Sequence, residues 1–409
     1  MDQFFFGRTP ILDRNKDIYG YECFFRSQVA SGEFAAGFHT PDGTTRTALT
    51  TLEPSALAGD KRVFFKATTD FIESDLVDRL ATERSVFELS GTTEMGPGFS
   101  ERCHTLRERG YRFCLSQPQY GDSFSSFIQM VSFVKVDVAA ERAHLAAIID
   151  LLRKLPVKLV ATRVETRVDF ELCKNDGFTL FEGHFFAKPS VITAKSISPS
   201  QVLLLELSKD LARNAELPVI ESIFKKNPDL TFGLLKLMNS AFFSVQQKIN
   251  SIRQAITLLG HDNLQKWVAL LLFTIDHRDQ TSNPLLEKVL IRGRMMELLA
   301  EKSTGLEVDA DTAFITGILS LISVLFELPL PQIIAKLNLV TEMQEALLDR
   351  RGALGRLLLL LEHLDEEDYQ KVEGHLDALK LSPSDLFGAE SRAILECQAS
   401  MNQDAASEG

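Results

Sequence analysis

Up to about residue 190 the chain alternates short runs rich in β-branched and aromatic residues with segments whose apolar positions recur every three or four residues. The runs at 4–11, 18–25, 63–67, 85–89, 111–115, 133–138, 158–163 and 180–185 predict eight strands. The segments at 70–80, 100–109, 140–155 and 166–176 predict helices between them. Strand and helix units repeated without a long antiparallel section imply a parallel sheet, and about eight strands suggest a closed (β/α)8 TIM-like barrel. Only a short loop joins the first two strands, a departure from strict alternation. After Lys188-Pro189-Ser190 the β-rich runs stop. Helical periodicity at 201–213, 218–225, 230–239, 252–259, 264–275, 284–303, 311–327, 331–337, 341–348, 354–363 and 369–378 predicts an all-α second domain, with breakers at Asn227-Pro228-Asp229 and Gly260. The expected fold class is α/β plus all-α: a barrel over 1–193, a helical domain over 194–400 and a small, polar, frayed tail over 401–409.

Composition narrows the function classes. The chain has 409 residues, 45% hydrophobic and 24% charged, which is ordinary for a globular protein of two domains. Its net charge of -12 falls entirely in residues 301–409, with 8 basic and 20 acidic side chains; residues 1–300 carry 36 of each. A chain that neutralises phosphates advertises the opposite sign, so neither nucleic acid nor an anionic membrane is an expected partner. The run Asp365-Glu366-Glu367-Asp368 reads as a solvated face, or as a docking surface for a basic partner. The longest uncharged stretch, 312–326, is shorter than the roughly 20 residues of a spanning helix. No membrane insertion is therefore expected. The start MDQFFFGRTP lacks the pattern of a secretory signal. Cys23, Cys103, Cys114, Cys173 and Cys397 are dispersed without a CxxC, as reduced buried thiols of a cytoplasmic protein would be.

Chemistry in a (β/α) barrel sits where strands hand over to the loops that follow. The polar residues there are Glu22, Arg26, Lys66, Glu88, Ser116, Gln117, Lys135, Asp137, Thr162, Glu165 and Glu182. Several carboxylates would converge on one mouth with two lysines. Carboxylates so placed could hold a hard divalent cation, but a fixed ammonium among them works against it.

Gly20-Tyr21-Glu22-Cys23-Phe24-Phe25-Arg26, Phe87-Glu88-Leu89, Val134-Lys135-Val136-Asp137, Val164-Glu165-Thr166 and Glu182-Gly183-His184-Phe185-Phe186-Ala187-Lys188-Pro189 resemble, in order and spacing, the signature blocks of EAL domains. Those domains hydrolyse cyclic di-GMP with two metal ions in a (β/α) barrel. The resemblance implies that Glu22 and Glu88 stand at metal-binding glutamates, Arg26 at a phosphate-contacting arginine and Lys135 at the active-site lysine. It also shows departures. The metal-binding asparagine appears as Lys66, and the paired metal-binding aspartates as Ser116 and Gln117. The phenylalanine and glycines after that pair appear as Pro118, Gln119 and Tyr120, the glutamate before Val-Glu-Thr as Thr162, and the late glutamine as Glu182. Two-metal hydrolysis needs both ions clamped within about 4 Å. Without the central carboxylate pair, no cofactor and no magnesium binding is expected, and the Lys66 ammonium is expected between Glu22 and Glu88 in place of metal charge.

The helical half resembles the HDOD domain, an all-helical module related to HD-type phosphohydrolases without their metal ligands. The resemblance rests on Asn227-Pro228-Asp229-Leu230-Thr231, the run from Leu234 to Phe243, INSIRQAITLLG ending at Gly260, and Ala313-Phe314-Ile315-Thr316-Gly317-Ile318-Leu319-Ser320. His261-Asp262 follows Gly260 where a helix restarts, so Asp262 suits the helix dipole better than a metal. The Asp276-His277-Arg278-Asp279 loop reads as solvated, and Ser320-Leu321-Ile322-Ser323 stands where an HD dyad would be. Trp267, Met295 and Met296 read as core. Taken together the resemblance implies a non-catalytic signal-transduction adaptor with a degenerate EAL barrel, whose partner is another signalling protein. The alternatives are an inactive receptor that still binds cyclic di-GMP and, last, an active phosphodiesterase.

Overall fold

Each of the eight β-rich runs forms a strand in the computed structural model, which describes residues 4–27, 58–75, 77–80, 82–94, 96–118, 124–188, 199–225, 227, 252–274, 283–303, 308–337 and 339–407. The strands are β1 (Phe4–Asp13), β2 (Ile18–Ser27), β3 (Arg62–Lys66), β4 (Ser85–Ser90), β5 (Arg112–Ser116), β6 (Phe133–Asp137), β7 (Lys158–Thr162) and β8 (Leu180–Glu182). They close into a barrel in chain order. The expectation of a wholly parallel sheet needs correction, because β1 runs antiparallel to both β2 and β8. The cause is the short β1–β2 connection, which Asp13 tightens by accepting the Asn15 and Asp17 N–H groups. A parallel crossover needs a dozen residues or more. From β2 to β8 every neighbouring pair is parallel.

The barrel centre is one contiguous layer. Ile11, Phe64, Val86, Cys114, Phe133, Val160 and Leu180, one from each of seven strands, are all buried against one another, with Tyr19 packed on them. Phe64 meets Phe133 edge to face at 5.2 Å. Outside lie the helices Thr69–Glu73, Pro97–Glu108, Phe124–Ile128, Leu145–Leu152 and Arg167–Asn175. Thr68 and Thr166 cap two of them by accepting the Phe71 and Asp169 N–H groups.

Gly183, directly after Glu182, is held at φ +141, and a Cβ there would stand 2.2 Å from the Val164 carbonyl oxygen and 2.7 Å from its nitrogen. Gly183→Ala must push the β8 end off β7. It is expected to destabilise the barrel by roughly 2–3 kcal/mol, read as a lower urea midpoint. An unchanged midpoint would show that the strand end yields freely.

The chain divides into Met1–Lys188 and Pro189–Gly409. The second unit is helical throughout its described residues: Pro199–Leu211, Leu217–Lys225, Ile252–Thr274, Pro284–Lys302, Ala310–Leu319, Ile322–Phe326, Leu330–Ile334, Thr341–Asp349, Gly352–Asp365, Tyr369–Leu379 and Pro383–Ser407. The expected break at Gly260 is present inside Ile252–Thr274, at φ 72 and ψ 174. The helix expected over 311–327 is two helices, Ala310–Leu319 and Ile322–Phe326, and the Ser320 hydroxyl at the junction donates to the Gly317 carbonyl. The last helix runs to Ser407. Ala310–Leu319 packs tightly on Pro284–Lys302 where Gly317 meets Gly293; a Cβ on Gly317 would lie 2.9 Å from the Gly293 Cα. Trp267, Met295 and Met296 are buried, and all five cysteines are free and buried. The helix expected at 230–239, the loop at 276–279 and positions 119–120 lie outside the described residues.

Candidate functional site

Side chains on one face of a strand recur every second residue, so the residue two beyond each core member points into the same lumen, one layer nearer the strand's end. Counting on from Phe64, Val86, Cys114, Phe133, Val160 and Leu180 gives Lys66, Glu88, Ser116, Lys135, Thr162 and Glu182. Glu22 joins this layer from β2, where it is in register with Phe64. The apolar plug thus carries a charged layer at the C-terminal mouth.

Lys135 is the centre of that layer. Its ammonium contacts a Glu22 carboxylate oxygen, lies 2.7 Å from Glu88 Oε2 and 2.9 Å from Glu182 Oε2. Neither the Glu88 nor the Glu182 oxygen accepts a well-directed hydrogen bond, so charge is the main attraction. The Lys135 side chain is 5% exposed, Glu88 3%, Glu22 12% and Glu182 15%, whereas Lys66 is 42% exposed and only 3.5 Å from Glu22 Oε1. The expectation that Lys66 lies between Glu22 and Glu88 is therefore corrected: Lys135 does. Lys66 is the last residue of β3, whereas Lys135 is the third of the five residues of β6 and so sits deeper.

This packing separates the protonation states of similar groups. Burial disfavours the Glu22 anion, but the Lys135 ammonium, a hydrogen bond with the Glu182 carboxyl and Lys66 outweigh it, holding Glu22 well below the usual carboxylate range. Burial, with the adjacent Glu22 charge, pushes Glu182 well above that range despite Lys135. Burial also opposes the Lys135 cation, yet the three carboxylates raise its pKa further. The two neighbours are thus pushed in opposite directions, Glu22 towards its anion and Glu182 towards its acid, and a protonated glutamate has nearly the shape of the glutamine that the resemblance places at position 182.

The remaining predicted residues do other work. The Ser116 and Thr162 hydroxyls donate to the Leu89 and Val136 carbonyls, both at 3.3 Å. Gln117 is exposed, with φ 48. Asp137 accepts the Ala139 and Ala140 N–H groups and so caps the turn after β6. Arg26 lies on β2 opposite Phe5. Glu165 forms a separate group with Lys188 Nζ at 2.5 Å and His184 Nδ1 at 3.9 Å. The His184 hydrogen bond, outweighing partial burial and helped by Lys188, lowers Glu165 from its ordinary 4.5 to about 2. Sequence reasoning placed His184 and Lys188 in a motif without giving them a role, and it passed over Arg163, 3.6 Å from Asp137. Because the folded pKa is depressed, the Glu165 contribution is present above pH 4.5 and is lost as pH falls towards about 2. Glu165→Gln should flatten the acid limb of the stability profile by less than about 1 kcal/mol, since solvent screens this half-exposed group. An unchanged acid limb in denaturant titrations would refute that linkage.

Three carboxylates are the right donor chemistry for a divalent cation. Here they converge on an ammonium, and Ser116 and Thr162 direct their hydroxyls to strand carbonyls. As arranged, these residues do not fit a metal ion at that point. Among the described residues no group of three or more His, Cys, Asp or Glu side chains is placed to hold one. No helix among them is long and apolar enough to cross a membrane.

The helical unit spends its charges on structure. Buried Arg292 donates to Ser320 Oγ at 3.1 Å and Asp365 Oδ2 at 2.5 Å, and Lys288 also meets Asp365. Asp368 caps its helix through the Lys371 N–H. Two of the four acids in the 365–368 run thus hold the unit together. His261 Nε2 bonds the Leu211 carbonyl at 2.5 Å, consistent with a packing role.

An eight-stranded closed barrel followed by a helical unit defines the class. Residues 202–350 match the family model of the HDOD domain. A Vibrio cholerae protein named cyclic di-GMP phosphodiesterase CdgJ is 28% identical over 378 residues, covering 90% of this chain and 86% of its own. Bacillus subtilis YuxH, of uncharacterised function, is 26% identical over 377 residues, covering 89% and 91%. Among solved structures, the EAL enzyme Bd1971 with cAMP and cyclic di-GMP bound gives a TM-score of 0.38 at 19% identity, over 45% of this chain and 61% of that one.

The Vibrio relative overturns the expectation of a non-catalytic adaptor or inactive receptor, and with it the reading that this chain is not an enzyme. A protein aligned across both halves is named for the hydrolytic activity. The expectation rested on Ser116, Gln117 and Thr162; a changed ligand set weighs against one arrangement of metals and does not by itself make a mouth of this kind inert.

Proposed function

We propose that this chain is a cyclic di-GMP phosphodiesterase whose barrel mouth binds the cyclic dinucleotide and opens it by hydrolysis. Water oxygen bonds to phosphorus, the phosphorus–O3′ bond breaks, one water proton ends on O3′ and the other on the new phosphate or in solvent, and a linear dinucleotide with a 5′-phosphate leaves. The observation that carries the proposal is the relative spanning both units and named for this reaction. It is supported by the charged layer, which stands where a (β/α) barrel keeps its chemistry. We place Glu22, Arg26, Lys66, Glu88, Ser116, Gln117, Lys135, Asp137, Thr162, Glu165 and Glu182 at or around this mouth, and expect no magnesium at the point the Lys135 ammonium fills. The helical unit, over about 194–400, is proposed to contact another signalling protein in the cytoplasm. Incubation of the full chain with cyclic di-GMP, with magnesium or with a chelator, followed by chromatography, tests the activity. Linear dinucleotide is expected; unchanged substrate under both conditions would refute the proposal.

A further inference from the structure

We infer that Lys66 binds a phosphate of the cyclic dinucleotide at the mouth, an inference that rests on the reading above and deepens it. A cyclic dinucleotide carries two phosphodiester anions. The floor it meets holds three carboxyl groups, Glu22, Glu88 and Glu182, and their counter-charge Lys135 is itself buried, at 5% exposed. An anion approaching such a floor is repelled unless a cation stands on its solvent side, because unlike and like charges a few ångströms apart differ by several kcal/mol at the effective dielectric of a protein surface. Lys66 is that cation. It ends β3, is in register with Glu88 on β4, and is the most exposed of the five charged side chains of the layer at 42%. Its ammonium reaches Glu22 at 3.5 Å, beyond the 2.7 and 2.9 Å that Lys135 makes with Glu88 and Glu182. A phosphate contact by Lys66 leaves Glu22 with the Lys135 ammonium. Among the described residues two further cations near the mouth are paired: Arg163 lies beside Asp137, and Lys188 is bonded to Glu165.

The resemblance places a neutral asparagine at position 66, so a lysine there changes how substrate charge is met. Calorimetric titration of cyclic di-GMP into the full chain, paired with steady-state kinetics, tests the role. Lys66→Met and Lys66→Gln are expected to weaken binding and raise KM by roughly 10- to 100-fold, the loss of one charge-assisted contact, with a smaller change in kcat. Lys66→Arg should restore most of the affinity. Wild-type binding should weaken with salt more steeply than that of either neutral variant. Melting temperatures should stay close to the wild type, since an exposed pair contributes little to stability. If both neutral variants bind within twofold of the wild type, the inference falls while the phosphodiesterase reading stands. If the wild type neither binds nor cleaves the dinucleotide, that reading fails and the inference fails with it.

Discussion

Lys135→Met should unfold the barrel at a markedly lower temperature than the wild type. The ammonium is the shared neighbour of Glu22, Glu88 and Glu182, and its side chain is 5% exposed. Removing one partner of a buried ion pair leaves carboxylates uncompensated and costs about 3–5 kcal/mol. For a unit of 188 residues that is a fall on the order of 10 °C in Tm. The cost should shrink as pH is lowered, because the stranded carboxylates take up protons and the charge disappears. Adding Glu88→Gln to Lys135→Met should recover part of the loss at neutral pH. Calorimetric melting of the full chain at several pH values checks this. A barrel transition within about 2 °C of the wild type would mean that the ammonium is not the counter-charge of the cluster, since even 1 kcal/mol moves Tm by that much.

Glu182→Gln should act in the opposite direction and stabilise the barrel. Burial and the neighbouring Glu22 charge raise the folded pKa of Glu182 well above its ordinary 4.5. A carboxyl whose pKa rises on folding binds more protons in the native state than in the unfolded one. Its contribution is therefore complete below pH 4.5 and declines as pH rises through the folded value. Glutamine keeps the shape of the protonated form and cannot ionise. The variant should gain on the wild type from about pH 4.5 upward, and the gain should grow as pH rises towards the folded value. It should also retain dinucleotide binding, because Lys66 and Glu22 are untouched. Denaturant midpoints of both proteins across pH provide the measurement. A constant gap would show that Glu182 titrates normally.

Much of the barrel was legible because strands and helices carry different hydrophobic periods, and all eight β-rich runs are strands. The direction of β1 was not, since an alternating run reads the same either way and only the length of the connection fixes it. The composition of the charged mouth was legible from strand-end residues, yet its arrangement was not. Lys66 and Lys135 occupy the same place in the two-residue alternation, and the difference between them is depth: one closes its strand, the other has two strand residues after it. The split at Ser320 was not legible, since the apolar period runs through it unchanged. Function was least legible. Missing aspartates at 116 and 117 suggested an inert barrel, and a relative named for the activity overturned that.

The central claim is hydrolysis of a cyclic dinucleotide at this mouth. The most direct measurement is mass spectrometry of the product formed when the full chain meets cyclic di-GMP in water enriched in oxygen-18. A linear dinucleotide carrying a single heavy oxygen on its new 5′-phosphate, formed by the wild type and not by the Lys135→Met barrel, is the result predicted. Cyclic di-GMP recovered intact from the wild type, with no heavy oxygen incorporated, would contradict the account.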